Sequence, residues 1–140
     1  MPNYTAPRPG VGSVGQYQMS SKPYATSSFS VAGVGSAPTE ITFPNVTSWV
    51  WVENLDSNSN VRIGFSSLGT TGSAGGGTNN YVTIVNQTDP HTFRVRVKSV
   101  FLLSEGAAST NVSIMAGLTS IESDLSTDEG PNYSGSSGIG

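Results

Sequence analysis

The strongest constraint on this chain is a succession of short β-patterned runs divided by turn clusters, with no helical period of normal length. The runs span 28–33, 39–43, 46–54, 60–66, 80–86, 92–98, 99–104 and 111–121. Each is rich in β-branched and aromatic residues, and Gly, Asn, Ser and Pro fill most of the gaps. Two runs alternate sharply. Val61, Ile63 and Phe65 oppose Arg62, Gly64 and Ser66, and Phe93, Val95 and Val97 oppose Arg94, Arg96 and Lys98. That period of two gives a strand one buried face and one wet face.

The stretches "WVWV" (49–52) and "VFLL" (100–103) are apolar on both faces. One face of each enters a core, and the other needs an arm, a loop or a second subunit to cover it. Eight strands at this spacing predict an all-β fold, a two-sheet antiparallel sandwich, with a jelly roll as the first choice. The cluster "DSNSN" (56–60) is expected to close a hairpin between the third and fourth strands. Residues 92–104 lack a Gly or Pro break, so one long strand bent at Ser99 is also compatible with the pattern. The loop 67–79 is too rich in Gly to hold one shape unaided.

Three segments follow from composition. Residues 1–28, with Pro7, Pro9, Gly10, Gly12 and Gly15, read as an extended arm whose Tyr17 and Tyr24 are candidate anchors on a neighbouring surface. A floppy terminus is the competing reading. Residues 29–121 form the sandwich domain, and a single domain of this chain's 140 residues buries about two-thirds of its unfolded surface. Residues 122–140 read as a flexible acidic Gly/Ser tail holding Glu122, Asp124, Asp128 and Glu129, four of the nine acids.

Charge narrows the function classes. Only 11% of residues are charged, and Ser (23), Thr (14) and Asn (10) take their place. A net charge of −3 argues against general attraction to nucleic acid. With no cysteine, disulfides and thiolate metal sites are unavailable. The opening "MPNYTAPRPG" lacks a signal-peptide apolar core, and no apolar run reaches the ~18 residues of a spanning helix, so a soluble, unprocessed product with no membrane partner is expected. Five N-x-[ST] triplets, from Asn3, Asn45, Asn86, Asn111 and Asn132, are what chance gives in so Asn- and Ser/Thr-rich a chain.

Catalytic and cofactor motifs fare poorly. "GVGSVG" (10–15) matches G-x-G-x-x-G, but lacks the preceding strand and following helix that bring a pyrophosphate to a helix N-terminus. "DSNSN" starts like a calcium loop, yet its sixth position is Val61 and its twelfth Ser67, where Gly and Glu are needed. The single histidine, His91 in "TDPHT", follows a turn marked by Asp89-Pro90, and abundant serines make a hydrolase-like combination cheap. Glu40, Glu53, Asp56 and Glu105 have no spacing that singles out a carboxylate pair. The expectation is therefore no enzyme, no cofactor and no metal.

Surface contacts remain. Arg94, Arg96 and Lys98, half of the six basic residues, read first as a solubilising strand face and second as an ionic contact for an acidic partner, including another copy's segment 122–129. Trp49 and Trp51, with Tyr81 and Tyr17, could form a sugar platform, though large aromatics in a small sandwich more often build the core. The segments "SSKPYATSS", "ITFPNVTSWVWVEN", "VRIGFS", "NYVTI", "FRVRVKSVFLLS" and "AGLTSI" resemble small structural proteins of tailed bacteriophages, the capsid decoration (cement) or head-associated proteins. The resemblance spans roughly 17 to 121 and carries no catalytic signature. It implies a β-sandwich of jelly-roll type, commonly trimeric, that binds the major capsid protein on the virion surface and reinforces the shell, after synthesis in the host cytoplasm. A head-fibre or tail-associated adhesin for a host glycan is the alternative, and a jelly-roll coat subunit the third.

Overall fold

The computed structural model describes residues 10, 12–86 and 89–123. Eight strands run β1 Lys22–Val31, β2 Thr39–Thr42, β3 Asn45–Asn54, β4 Val61–Gly64, β5 Tyr81–Ile84, β6 His91–Phe93, β7 Ser99–Ser104 and β8 Thr110–Glu122. They form two four-stranded antiparallel sheets, one in the order β1-β8-β3-β6 and the other β2-β7-β4-β5. The all-β two-sheet sandwich is thus the architecture of the described residues. The pairings nest: β1 with β8, β2 with β7, β3 with β6 and β4 with β5. A chain folded as one long hairpin and then wrapped over itself acquires this order, with β3·β8 and β4·β7 sealing the wrap.

Alternation explains what lies between the sheets. Val50 and Val52 of β3, Val61 and Ile63 of β4, Val100 and Leu102 of β7, and Val112, Ile114 and Ala116 of β8 join one buried cluster with Val31, Ile41, Phe43, Ile84, Val97 and Leu118. Burying one such aliphatic side chain is worth about 1.5–3 kcal/mol. Tyr24 packs edge-on against Phe43, with centroids 5.1 Å apart. It lies on the cluster's margin as a half-buried part of this chain's own packing.

Several sequence expectations change. The first strand begins at Lys22, inside the stretch read as an arm, because its half-buried edge face is built from Tyr24, Thr26 and Phe29 among Ser, Thr and Pro. A register shift between Thr26 and Phe29, with Ser28 at φ 54°, breaks the period of two and hid the strand. Residues 56–60 close no hairpin, since β3 and β4 lie in opposite sheets. They form a crossover in which Asp56 accepts from the Asn58 N–H at 2.9 Å and from the Thr110 hydroxyl at 3.1 Å.

The run 92–104 is two strands in different sheets, not one bent strand. Only His91–Phe93 is ladder-paired as β6, and 94–98 is the crossing. Thr47 explains the change: its hydroxyl donates to the Val95 carbonyl at 2.7 Å and accepts the Val97 N–H at 3.1 Å. The side chain thereby takes two of the rungs, beside one backbone bond from the Thr47 N–H to the Val97 carbonyl at 2.9 Å, where β3 itself shifts register around Thr47. The inside-outside alternation survives, with Phe93 and Val95 half-buried, Val97 buried, Arg94 and Arg96 exposed and Lys98 half-buried.

The Gly-rich loop also takes a definite form, a helical turn α2 at Ser67–Thr71 followed by a 3-10 turn at Ser73–Gly75. Ser66 caps α2 by accepting the Gly69 N–H at 2.9 Å. The turn packs on β4 and β7, above Phe101 and Leu103, which stay 6% and 1% exposed on the side of β7 away from the core. Gly64 permits this closeness, because a Cβ there would meet the Thr70 side chain. Arg62 ties the loop down. Its guanidinium donates to the Thr71 carbonyl at 2.9 Å, meets Glu105 at 3.4 Å and lies 4.5 Å over the Tyr81 ring. The second apolar face of "VFLL" is therefore covered by the chain itself.

Candidate functional site: an aromatic trough on the outer face of the first sheet

Among the described residues, the outer face of the first sheet carries only a short turn at one end. With Val50 and Val52 turned inward, Trp49 and Trp51 stand on the outer face, half-exposed. The reading that large aromatics fill the core does not hold for these two. The narrower valines fit between the sheets, and Glu53, of the same parity as the tryptophans, shares their half-exposed side. That carboxylate is the sequence signal that marks the wet face of β3.

Register assembles the site across neighbouring strands. Trp51 pairs with Met115 of β8 on one side and Thr92 of β6 on the other. Trp49 pairs with Gly117, where an added Cβ would lie 2.6 Å from the indole Cε2. The glycine lets the indole lie over the backbone of β8, an aromatic side chain shielding a strand glycine. Arg94 follows Thr92 by two residues and faces the same way. Together Tyr17, Ser48, Trp49, Trp51, Thr92, Arg94 and Met115 line an open cavity of about 460 Å³.

One wall of the trough comes from the N-terminal segment. The helical turn α1, Val14–Gln18, packs against β3 and β8 and carries Tyr17 into the lining. It is tethered by Gln16 Oε1, which accepts the Ser120 N–H at 3.1 Å. Ser48 is already committed, at 2.7 Å from the Ser21 hydroxyl. Apolar rings with one guanidinium and a few hydroxyls at the rim can hold a flat apolar ligand face or a protein side chain, and can fix its orientation through Arg94.

Of the contact candidates read from the sequence, Tyr17, Trp49, Trp51 and Arg94 converge on this cavity. Arg96 and Lys98 continue the basic strip away from it, and Tyr24 lies apart against Phe43. Met115 and Thr92 were not legible as site residues, since only the strand pairing brings them there. The loop 67–79 packs on the other sheet, away from the trough.

The remaining polar groups are dispersed. Among the described residues no three His, Cys, Asp or Glu side chains are grouped to hold a metal ion. His91 stacks obliquely on Phe93 at 6.4 Å, and Glu105 serves Arg62 and the Asn60 amide. Among the described residues no helix is long and apolar enough to cross a membrane. No family model matches the chain, and comparisons with curated proteins and with solved structures return no match.

Proposed function

We propose that this protein is a non-enzymatic structural protein of a tailed-bacteriophage virion, a decoration or cement protein that binds the outer capsid surface and reinforces the shell. The observation that carries the reading is the aromatic trough. Trp, Tyr, Met and Arg are the residue types enriched where protein interfaces concentrate their binding energy, and here all four share one exposed sheet face. The nested strand order is read as a jelly roll, the arrangement the phage resemblance implies. The partners in this reading are the major capsid protein and further copies of the chain, with a trimer favoured. Many copies on one lattice let each contact be modest and still hold by multivalency.

Copy number in purified virions tests the proposal. A number near that of the coat protein is expected, and a few copies at one vertex would overturn it. The second reading, an adhesin for a host surface glycan, draws on the same trough, since indole faces suit the apolar side of a sugar ring. Glycan-array binding that disappears in Trp51→Ala would favour it. The third, a coat subunit, requires the isolated chain to assemble into shells.

A further inference from the structure

The strands at the edges of the two sheets differ in how they are defended against pairing with another chain. Edges that stay single carry charge, proline, a bulge or very short length. β1 has Lys22, Pro23 and the bulge before Phe29. β2 has Glu40 and lies between Pro38 and Pro44, and β6 is three residues long and follows Pro90. β5, Tyr81–Ile84, has a regular register and none of these, and no charge or proline occurs anywhere from 63 to 86.

The hydrogen bonds around β5 fix which of its main-chain groups face outward. The Asn60 carbonyl accepts the Glu105 N–H at 2.9 Å, on the β7 side of β4. Alternation then turns Val61 and Ile63 toward β5, where they meet Ile84 and Val82. The neighbours agree: the Asn86 N–H donates to Asn60 Oδ1 at 3.1 Å, and the Asn80 N–H to the Gly69 carbonyl at 3.1 Å. Even-numbered residues thus bond inward, and the N–H and C=O of Tyr81 and Thr83 point away from the sheet. Val82 shares the core side of the sheet with buried Ile84 and pairs with buried Ile63, yet its own side chain is 51% exposed.

We propose that β5 pairs antiparallel with β5 of a second copy across a two-fold axis through Val82, joining the two β2-β7-β4-β5 sheets into one. A two-fold axis normal to the sheet keeps both core faces on the same side, so it pairs residues of equal parity. Centred on Val82, it sets Tyr81 opposite Thr83 of the second copy and Thr83 opposite its Tyr81. Both are hydrogen-bonded pairs made from the outward groups. The two Val82 residues then meet at the non-hydrogen-bonded position, where Cα atoms lie about 4.5 Å apart and side chains are closest. Each valine covers the other on the core side. This edge belongs to the sheet opposite the trough, so the inference stands apart from the capsid reading and its trimer.

Sedimentation equilibrium of the full chain tests the proposal. So small an interface predicts a dimer with a dissociation constant on the order of 0.1 mM. Val82→Lys should weaken it at least tenfold with an unchanged circular dichroism spectrum, because the position is already exposed. The cysteine-free chain allows a milder second variant. Under gentle oxidation Val82→Cys should form a disulfide-linked dimer at least tenfold faster than Leu55→Cys, whose side chain is comparably exposed. A chain that stays monomeric at about 1 mM would leave this edge to a different partner and overturn the proposal. So would an oligomer that survives Val82→Lys, or equal cross-linking of the two cysteine variants.

Discussion

Replacing Arg62 by Ala should release the Gly-rich cover of the second sheet. The side chain is 15% exposed and makes three kinds of contact at once. Its 2.9 Å bond to the Thr71 carbonyl is a hydrogen bond from a charged donor, worth about 1.5–3 kcal/mol. Stacking over Tyr81 at 4.5 Å adds about 0.5–1 kcal/mol. The Glu105 contact is long, at 3.4 Å, and its carboxylate side chain is 28% exposed, so solvent screening leaves it below about 1 kcal/mol. The expected loss is about 2–4 kcal/mol, or roughly 6–15 °C in Tm for a domain of this size. Chemical denaturation gives the first number, and hydrogen exchange locates the effect. The Gly69, Thr70 and Thr78 amides, bonded to Ser66 and Leu68, should exchange faster while those of β3 and β8 keep their protection. Arg62→Lys keeps the charge without the fork and should fall between wild type and Ala. Unchanged stability with unchanged loop protection would refute the claim that Arg62 holds the cover.

Trp51→Ala should cost less than about 1 kcal/mol of stability, since the ring is half-exposed, yet weaken partner binding at least tenfold in a pull-down or titration; equal binding would remove the trough from the interface. Ser99→Ala should leave stability unchanged or raise it by up to about 1–2 kcal/mol, because among the described residues its Oγ is the buried side-chain polar atom without a hydrogen-bond partner. A clear loss in denaturant midpoint would contradict that. Gly64→Ala should destabilise by about 1–3 kcal/mol through collision with the Thr70 hydroxyl, and Gly64→Ala with Thr70→Ala, which removes that oxygen, should recover part of the loss.

How far the sequence carried this picture depends on the segment. Where one parity was apolar and the other polar, as in Val61, Arg62, Ile63 and Gly64, the strand and its core face could be read directly, but the face expected to be wet is covered, with Gly64 and Ser66 buried. In "WVWV" both parities were apolar, so the strand was legible but its facing was not; Val50 and Val52 won the core and the tryptophans went outside. The edge strand β1 was hidden because its lone half-buried face is interrupted by a bulge at Ser28. The crossing at 94–98 kept strand-like alternation while the Thr47 side chain took the bonds to Val95 and to the Val97 N–H, a substitution with no local signature. Which residues meet in the trough depended on pairings between β3, β6 and β8, contacts too distant in sequence for composition or period to reveal.

The account rests on an asymmetry: one sheet is covered by the chain's own loop, and the other offers Trp49, Trp51, Tyr17 and Arg94 to a partner. Cryo-electron microscopy of a virion carrying the protein tests this most directly. The account predicts that the outer face of β3, with both indoles, lies buried against the shell or a neighbouring copy, while loop 67–79 stays on its own sheet. Density in which both tryptophans face open solvent and the contacts run through the loop would contradict it.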